Sequence, residues 1–242
     1  MTDPGRRQRR AFVESAATTR RRRRIVALVS LAGAGLLGKS LSTKPGSSEF
    51  YGLTLAVAGT WTVGGLLSGP VHRGWMYDRD RRLRRPVIAP VLMGVAAFVA
   101  FYLCALVARR VPVFERAISR VMRYAQVGSS RSVLLTTLLN GAGEEVFFRG
   151  ALYSAVGKRH PVALSTAVYS LATTSTRNPA LVLASVVMGA LFGAQRRATG
   201  GIQAPLLTHL TWSTLMLRFL PPLFDRPPGA PSSPWAGEVM DQ

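Results

Sequence analysis

Apolar residues along this chain come in long blocks rather than in the stripes that one face of a soluble helix would show. The block at 87–108 is the plainest, and it is long enough to cross a bilayer as a helix. Blocks at 25–41, 50–68, 132–156, 162–175, 180–194 and 203–220 read in the same way. The pattern therefore predicts about seven spans, with six to eight compatible with it. The expected fold class is all-α, a polytopic bundle of transmembrane helices. Small residues mark where helices should approach closely: Gly52, Gly59, Gly64, Gly65 and Gly69 around the second block, Gly189 and Gly193 in the sixth. Turn composition separates the blocks at Lys44-Pro45-Gly46, at Arg177-Asn178-Pro179, from Gln195 to Gly201 and at Pro221-Pro222. One stretch has a helical period instead. Val113, Phe114, Ala117, Ile118, Val121 and Met122 share a face, with Arg116, Arg120 and Arg123 around another. That spacing predicts an amphipathic helix lying on the membrane surface.

Charge changes the picture less than its size suggests. The formal net charge is +20 and the pI about 11.7, values that would ordinarily raise nucleic acid as a partner. Here the arginines flank apolar blocks instead of interleaving with aromatics, so they read as topology determinants and no nucleic-acid partner is expected. If seven spans alternate, the basic segments 1–24, 70–85, 158–159 and 196–197 fall on one side. The positive-inside bias makes that side cytoplasmic, which puts the N-terminus in the cytoplasm and the chain in the plasma membrane. Segment 109–131, with six arginines against one glutamate, then falls on the other side, against the bias.

The chain accordingly divides into a basic tail at 1–24, N-terminal spans and the amphipathic helix at 25–130, a helical core at 131–220 and a Pro/Ser-rich tail at 221–242. Both tails are expected to be disordered. The lone Cys104 excludes an intramolecular disulfide and a cysteine metal cluster.

Candidate chemistry sits in Asn140-Gly-Ala-Gly-Glu144-Glu145-Val-Phe-Phe-Arg149-Gly150, in the middle of the fourth block. Each charged group at such depth costs roughly 3 kcal/mol on insertion, so it needs a partner and usually a purpose. On a helix Glu145 and Arg149 are four apart and can pair. Glu144 points about 100° away, leaving its carboxylate for another element. The plain alternative is an internal salt bridge that only locks the bundle. His209 in the last block, with Ser213 four residues on, adds an imidazole and a hydroxyl on one face. A carboxylate could take a proton from water while those donors steady an oxyanion.

At these residues the sequence resembles the CPBP family, the CAAX-protease and bacteriocin-processing membrane proteins. Glu144-Glu145-Val146-Phe147-Phe148-Arg149 matches its EExxxR motif, and Gly150-Ala151-Leu152 continues it. Gly189 to Gly193, Arg196-Arg197-Ala-Thr-Gly200 and Ala204-Pro205-Leu-Leu-Thr-His209 are similar to its later helices, so the resemblance covers roughly 131–220. It implies an intramembrane endopeptidase of the glutamate type, often called a metalloprotease, acting on a membrane-associated peptide or protein amid lipid. Glu144 would activate water, Glu145 and Arg149 would hold the site together, and His209 would help bind the oxyanion.

Two motifs depart from the family pattern. FxxxH aligns with Tyr169-Ser-Leu-Ala-Thr173, so Tyr169 and Thr173 become site-lining candidates and the second histidine is missing. HxxxN/D reads His209-Leu-Thr-Trp-Ser213. His160 is no substitute, because sixteen residues beyond Glu144 is about 24 Å along a helix. Zinc is implied only by the resemblance. Glu144 and His209 are the plausible ligands, and a catalytic zinc site ordinarily has three from the protein, so any binding is expected to be weak. Thr173 favours a second class of function, a non-catalytic relative that binds a membrane partner in immunity or as a scaffold. A small transporter with a carboxylate relay is a third.

Overall fold

The structure, a computed structural model, describes residues 16–77, 82–157 and 159–224. It is all-α apart from one small hairpin. In chain order the helices are α1 (Ala16–Ser40), α2 (Ser48–Leu67), α3 (Ile88–Ala108), α4 (Pro112–Val127) and α5 (Ser130–Glu144). A π-helix (Glu145–Leu152) and the short α6 (Tyr153–Ala155) extend α5. Then follow α7 (Pro161–Thr173), α8 (Pro179–Thr199) and α9 (Gln203–Phe219). Between α2 and α3, β1 (Met76–Tyr77) pairs antiparallel with β2 (Leu83–Arg84), Met76 opposite Arg84.

Three of these helices, α2, α3 and α8, are long and apolar enough to cross a membrane. In α3 the mean hydropathy reaches 2.5, and Ile88, Leu92, Leu103 and Val107 lie bare on its outside, as lipid-facing residues would. The other expected spans are helical but fall short of that standard. Arginines crowd the start of α1, the fourth block is divided between α- and π-helix, and α7 has 13 residues, about 20 Å against a hydrocarbon core of about 30 Å.

Hydrogen bonds sort the connections into two ends. At one end the Arg22 side chain donates to the Ser68 carbonyl (3.0 Å), Arg23 to the Ala155 carbonyl (3.2 Å) and the Trp75 amide to the Thr199 carbonyl (2.8 Å). At the other, Tyr124 donates to the Thr43 carbonyl (2.7 Å), Asn178 to the Ala117 carbonyl (2.7 Å) and Gln126 to the Pro221 carbonyl (3.3 Å). Successive connections alternate between these ends. Helix α4 therefore stands at the end opposite Arg20–Arg24, and the charge conflict read from the sequence is a property of the fold.

Several expectations are corrected. The basic tail does not run to residue 24: α1 begins at Ala16, and Arg22 and Arg23 bond carbonyls at the C-terminal ends of α2 and α6, where cations suit the helix dipole. Residues 1–15 of that tail, and 225–242 of the C-terminal one, lie outside the described residues. Pro221–Phe224, expected in the C-terminal tail, form a 3-10 turn with Pro221 buried. The turn expected from Gln195 is helix, and α8 ends only where Gly200 adopts φ 72°. The apolar face of α4 is turned to the protein rather than to lipid alone, with Met122 packed on Ala105 and Leu220.

The core that fixes the centre of the bundle is aromatic. Trp61 of α2 packs on Phe147 and Phe148 of the π-helix, ring centroids 4.8 and 4.9 Å away. Gly143 lets the two segments meet, because a Cβ there would sit 2.8 Å from the Ala58 carbonyl oxygen. Gly189 and Gly193 do the same for α8 against Thr166 and Val162 of α7. Gly52 and Gly59, expected to serve likewise, face open space.

Candidate active site

The last turn of α5 presents Asn140 and Glu144 on one face, four residues apart. From Glu145 the chain widens into the π-helix, ending where the Tyr153 amide bonds the Phe148 carbonyl five residues back. Every residue of that π-helix except Val146 is buried. A π segment is uncommon and frequently marks a functional site.

Glu144 is 7% exposed, and each carboxylate oxygen has a different donor. The Asn140 amide donates to Oε1 at 2.9 Å, and the Tyr169 hydroxyl, from α7, donates to Oε2 at 2.7 Å. Glu145, fully buried, is engaged elsewhere. Its Oε1 accepts from Arg149 Nη1 at 3.2 Å and from His209 Nδ1 at 2.9 Å. The two carboxylates therefore divide as the helical spacing suggests, with one paired and one left to another element.

His209 comes from α9 and is held on two sides. Its ring stacks on Phe192 of α8 at 4.8 Å, and its Nδ1–H is committed to Glu145. Nε2 is the free side of the ring and faces Gly141. Arg149 completes the cluster. Its guanidinium lies 4.7 Å from the Tyr169 ring and 4.9 Å from that of Phe192, a placement that favours a planar cation. Its Nη2 reaches the Gly189 carbonyl at 3.5 Å.

A cavity of about 300 Å³ connects these groups. Asn140, Glu144, Tyr169, Thr173, His209 and Ser213 form its polar wall, and the remaining lining is largely apolar, including Val121 and Met122 of α4. So the structure brings all the sequence candidates to one place, Glu144, Tyr169, Thr173, His209 and Ser213 on the cavity, Glu145 and Arg149 behind it. The Thr173 hydroxyl is spent on its own helix, donating to the Tyr169 carbonyl at 2.9 Å. His160 is exposed at the start of α7 and takes no part. Sequence reasoning gave no role to Asn140, although its place four residues before Glu144 was a usable signal. The hydroxyl of Tyr169 as a donor to Glu144 depends on how α7 packs, and no local pattern carries it.

The donor set does not fit a zinc ion bound by three residues. Among the described residues no group of three or more His, Cys, Asp or Glu side chains converges. Both Glu144 oxygens accept hydrogen bonds already, and His209 Nδ1 is taken by Glu145.

An all-α bundle with three helices long and apolar enough to cross a membrane encloses a buried carboxylate–guanidinium–imidazole cluster, an arrangement that suits an integral membrane protein. Residues 126–215 match the family model described as Rce1-like, type II CAAX prenyl endopeptidase Rce1-like. The matched stretch runs over α5 to most of α9 and is consistent with a CPBP family protease. Comparison with curated proteins and with solved structures gives no match.

Proposed function

We propose that this protein is an intramembrane endopeptidase of the glutamate type, hydrolysing a peptide bond within or beside the membrane. The observation that carries this reading is Glu144, a buried carboxylate on a cavity wall with a donor on each oxygen and, among the described residues, no cation bonded to it. A carboxylate so held is oriented to accept a proton from water, whose oxygen adds to the scissile carbonyl carbon. The oxyanion that forms would lie toward His209 and Ser213. With Nδ1–H held by Glu145, an imidazolium at His209 would offer Nε2–H, and Ser213 its hydroxyl. Collapse of the adduct breaks the C–N bond, and the proton taken up by Glu144 passes to the departing amine. Glu145 and Arg149 act behind the cavity by fixing His209. The apolar remainder of the cavity suits an apolar segment of a membrane-associated protein as substrate.

The protein is expected in the plasma membrane, with the Arg20–Arg24 end cytoplasmic. A non-catalytic binding role is the second reading. It is favoured by Thr173, whose hydroxyl bonds its own backbone and adds no base.

The test compares new protein termini in membranes of cells making wild-type protein or Glu144→Gln at matched levels. Loss of a general base ordinarily costs about 10²–10⁴-fold. Termini that depend on the wild-type residue are expected and would name the substrate. Indistinguishable profiles from the two would leave the binding reading in possession.

A further inference from the structure

We propose that Tyr169 is the positioning residue of this site, its phenol fixing the Glu144 carboxylate so that no imidazole is required at position 173. The inference rests on the reading of Glu144 as the base. Three observations carry it. First, the Tyr169 hydroxyl makes the shortest bond to Glu144, 2.7 Å, and makes it to the oxygen that Asn140 does not touch. The two donors come from different helices, so the carboxylate cannot rotate without losing one of them. Second, the tyrosine ring is itself clamped. The Arg149 guanidinium lies 4.7 Å from its centroid, the Phe148 ring 4.6 Å, and the bare Cα of Gly189 leaves space on the α8 side, where a Cβ would come to 3.4 Å from Cδ1. A side chain locked on several sides delivers its donor without paying orientation entropy at the moment of reaction. Third, Thr173 lines the same cavity yet turns its hydroxyl to the Tyr169 carbonyl, so its contribution is to the helix that holds the tyrosine.

The arrangement also links the two carboxylates. The Tyr169 ring touches the cation that pairs with Glu145 while its hydroxyl bonds Glu144, so one side chain spans the paired and the catalytic carboxylate. Tyrosine is suited to this because its ring packs and its tip donates. Phenylalanine would preserve the packing and remove only the donor.

The experiment uses the full chain purified in detergent, with a synthetic peptide spanning the bond identified by the Glu144→Gln comparison as probe. Tyr169→Phe is expected to lower kcat about 10- to 100-fold with KM changed less than about 3-fold, whereas Ser154→Ala, which removes a hydroxyl bonded to its own helix away from the cavity, keeps kcat within about 3-fold. An activity-independent readout accompanies it. The infrared carboxyl band that Glu144→Gln removes should shift in Tyr169→Phe and stay put in Ser154→Ala. A wild-type kcat or an unmoved band in Tyr169→Phe overturns the proposal, as does an equal loss in Ser154→Ala. Should Tyr169→Phe fail to fold, 3,5-difluorotyrosine at position 169 keeps the ring and alters only the phenol, and the same band must move. If Glu144→Gln proves fully active, the endopeptidase reading fails, and the band alone then decides whether Tyr169 positions Glu144.

Discussion

Arg149 is nine-tenths or more buried and has one ion-pair partner, a contact of 3.2 Å to Glu145. Its Nε and the Oε2 of Glu145 are buried without a hydrogen-bond partner among the described residues, so the pair is not the bidentate fork that arginine often makes. A buried pair of this sort contributes little over an apolar substitute, but removing one partner strands the other charge. Arg149→Leu should therefore destabilise the protein by about 3–5 kcal/mol, read as a lower thermal unfolding midpoint in detergent. Arg149→Lys should fall between, since a point charge can pair with Glu145 but cannot lie flat between Tyr169 and Phe192. A midpoint unchanged in Arg149→Leu would mean that the Glu145–Arg149 pair does not hold the fold. At this scale the Glu145–Arg149 pair was legible from a spacing of four. The donors to Glu144 were not equally so: Asn140 lies on the same helical face, whereas Tyr169 arrives through tertiary packing.

The element that shapes the site is the run from α5 through the π-helix, against which α2 packs closely at Gly143 and through Trp61. Apolar blocks gave the positions of the helices, because burial in lipid or in protein selects the same residues. They could not give the π-helix, since a change from i→i−4 to i→i−5 bonding leaves no mark on composition. Nor could they separate glycines that pack from glycines that do not. Gly143 sits where a side chain would meet the Ala58 carbonyl and the Thr62 hydroxyl, whereas Gly59 has nothing within 4 Å. Gly143→Ala should force α2 and α5 apart at a cost of about 1–3 kcal/mol, and should reduce activity by displacing Glu144 next to it. Gly59→Ala should be neutral or stabilising by up to about 1 kcal/mol, as alanine is the better helix former. Unfolding midpoints of the two variants, measured side by side, check the contrast. Equal midpoints would show that close packing at Gly143 does not hold the site.

Across the whole molecule the arginines do not obey one rule. Those at 20–24, 84–85, 159 and 196–197 gather at the end where Arg22 bonds Ser68 and Trp75 bonds Thr199, as a cytoplasmic face should. Helix α4 carries Arg116, Arg120 and Arg123 at the opposite end, tied there by Tyr124, Gln126 and Asn178. The resolution lies in what α4 is. Its apolar face is packed on the bundle through Met122 and Val121, so its position is decided by protein contacts, and its arginines are left exposed, where positive charge costs little. The alternation of helix ends then outweighs the charge count. Single cysteines placed at His72 and at Arg120, both exposed and at opposite ends, decide the matter in a Cys104→Ala background. His72→Cys should react with a membrane-impermeant maleimide only in inside-out vesicles, and Arg120→Cys only in intact cells. Labelling of both from the same side would mean that an odd number of helices between them does not cross, and α4 would then join the cytoplasmic face that its charge alone demands.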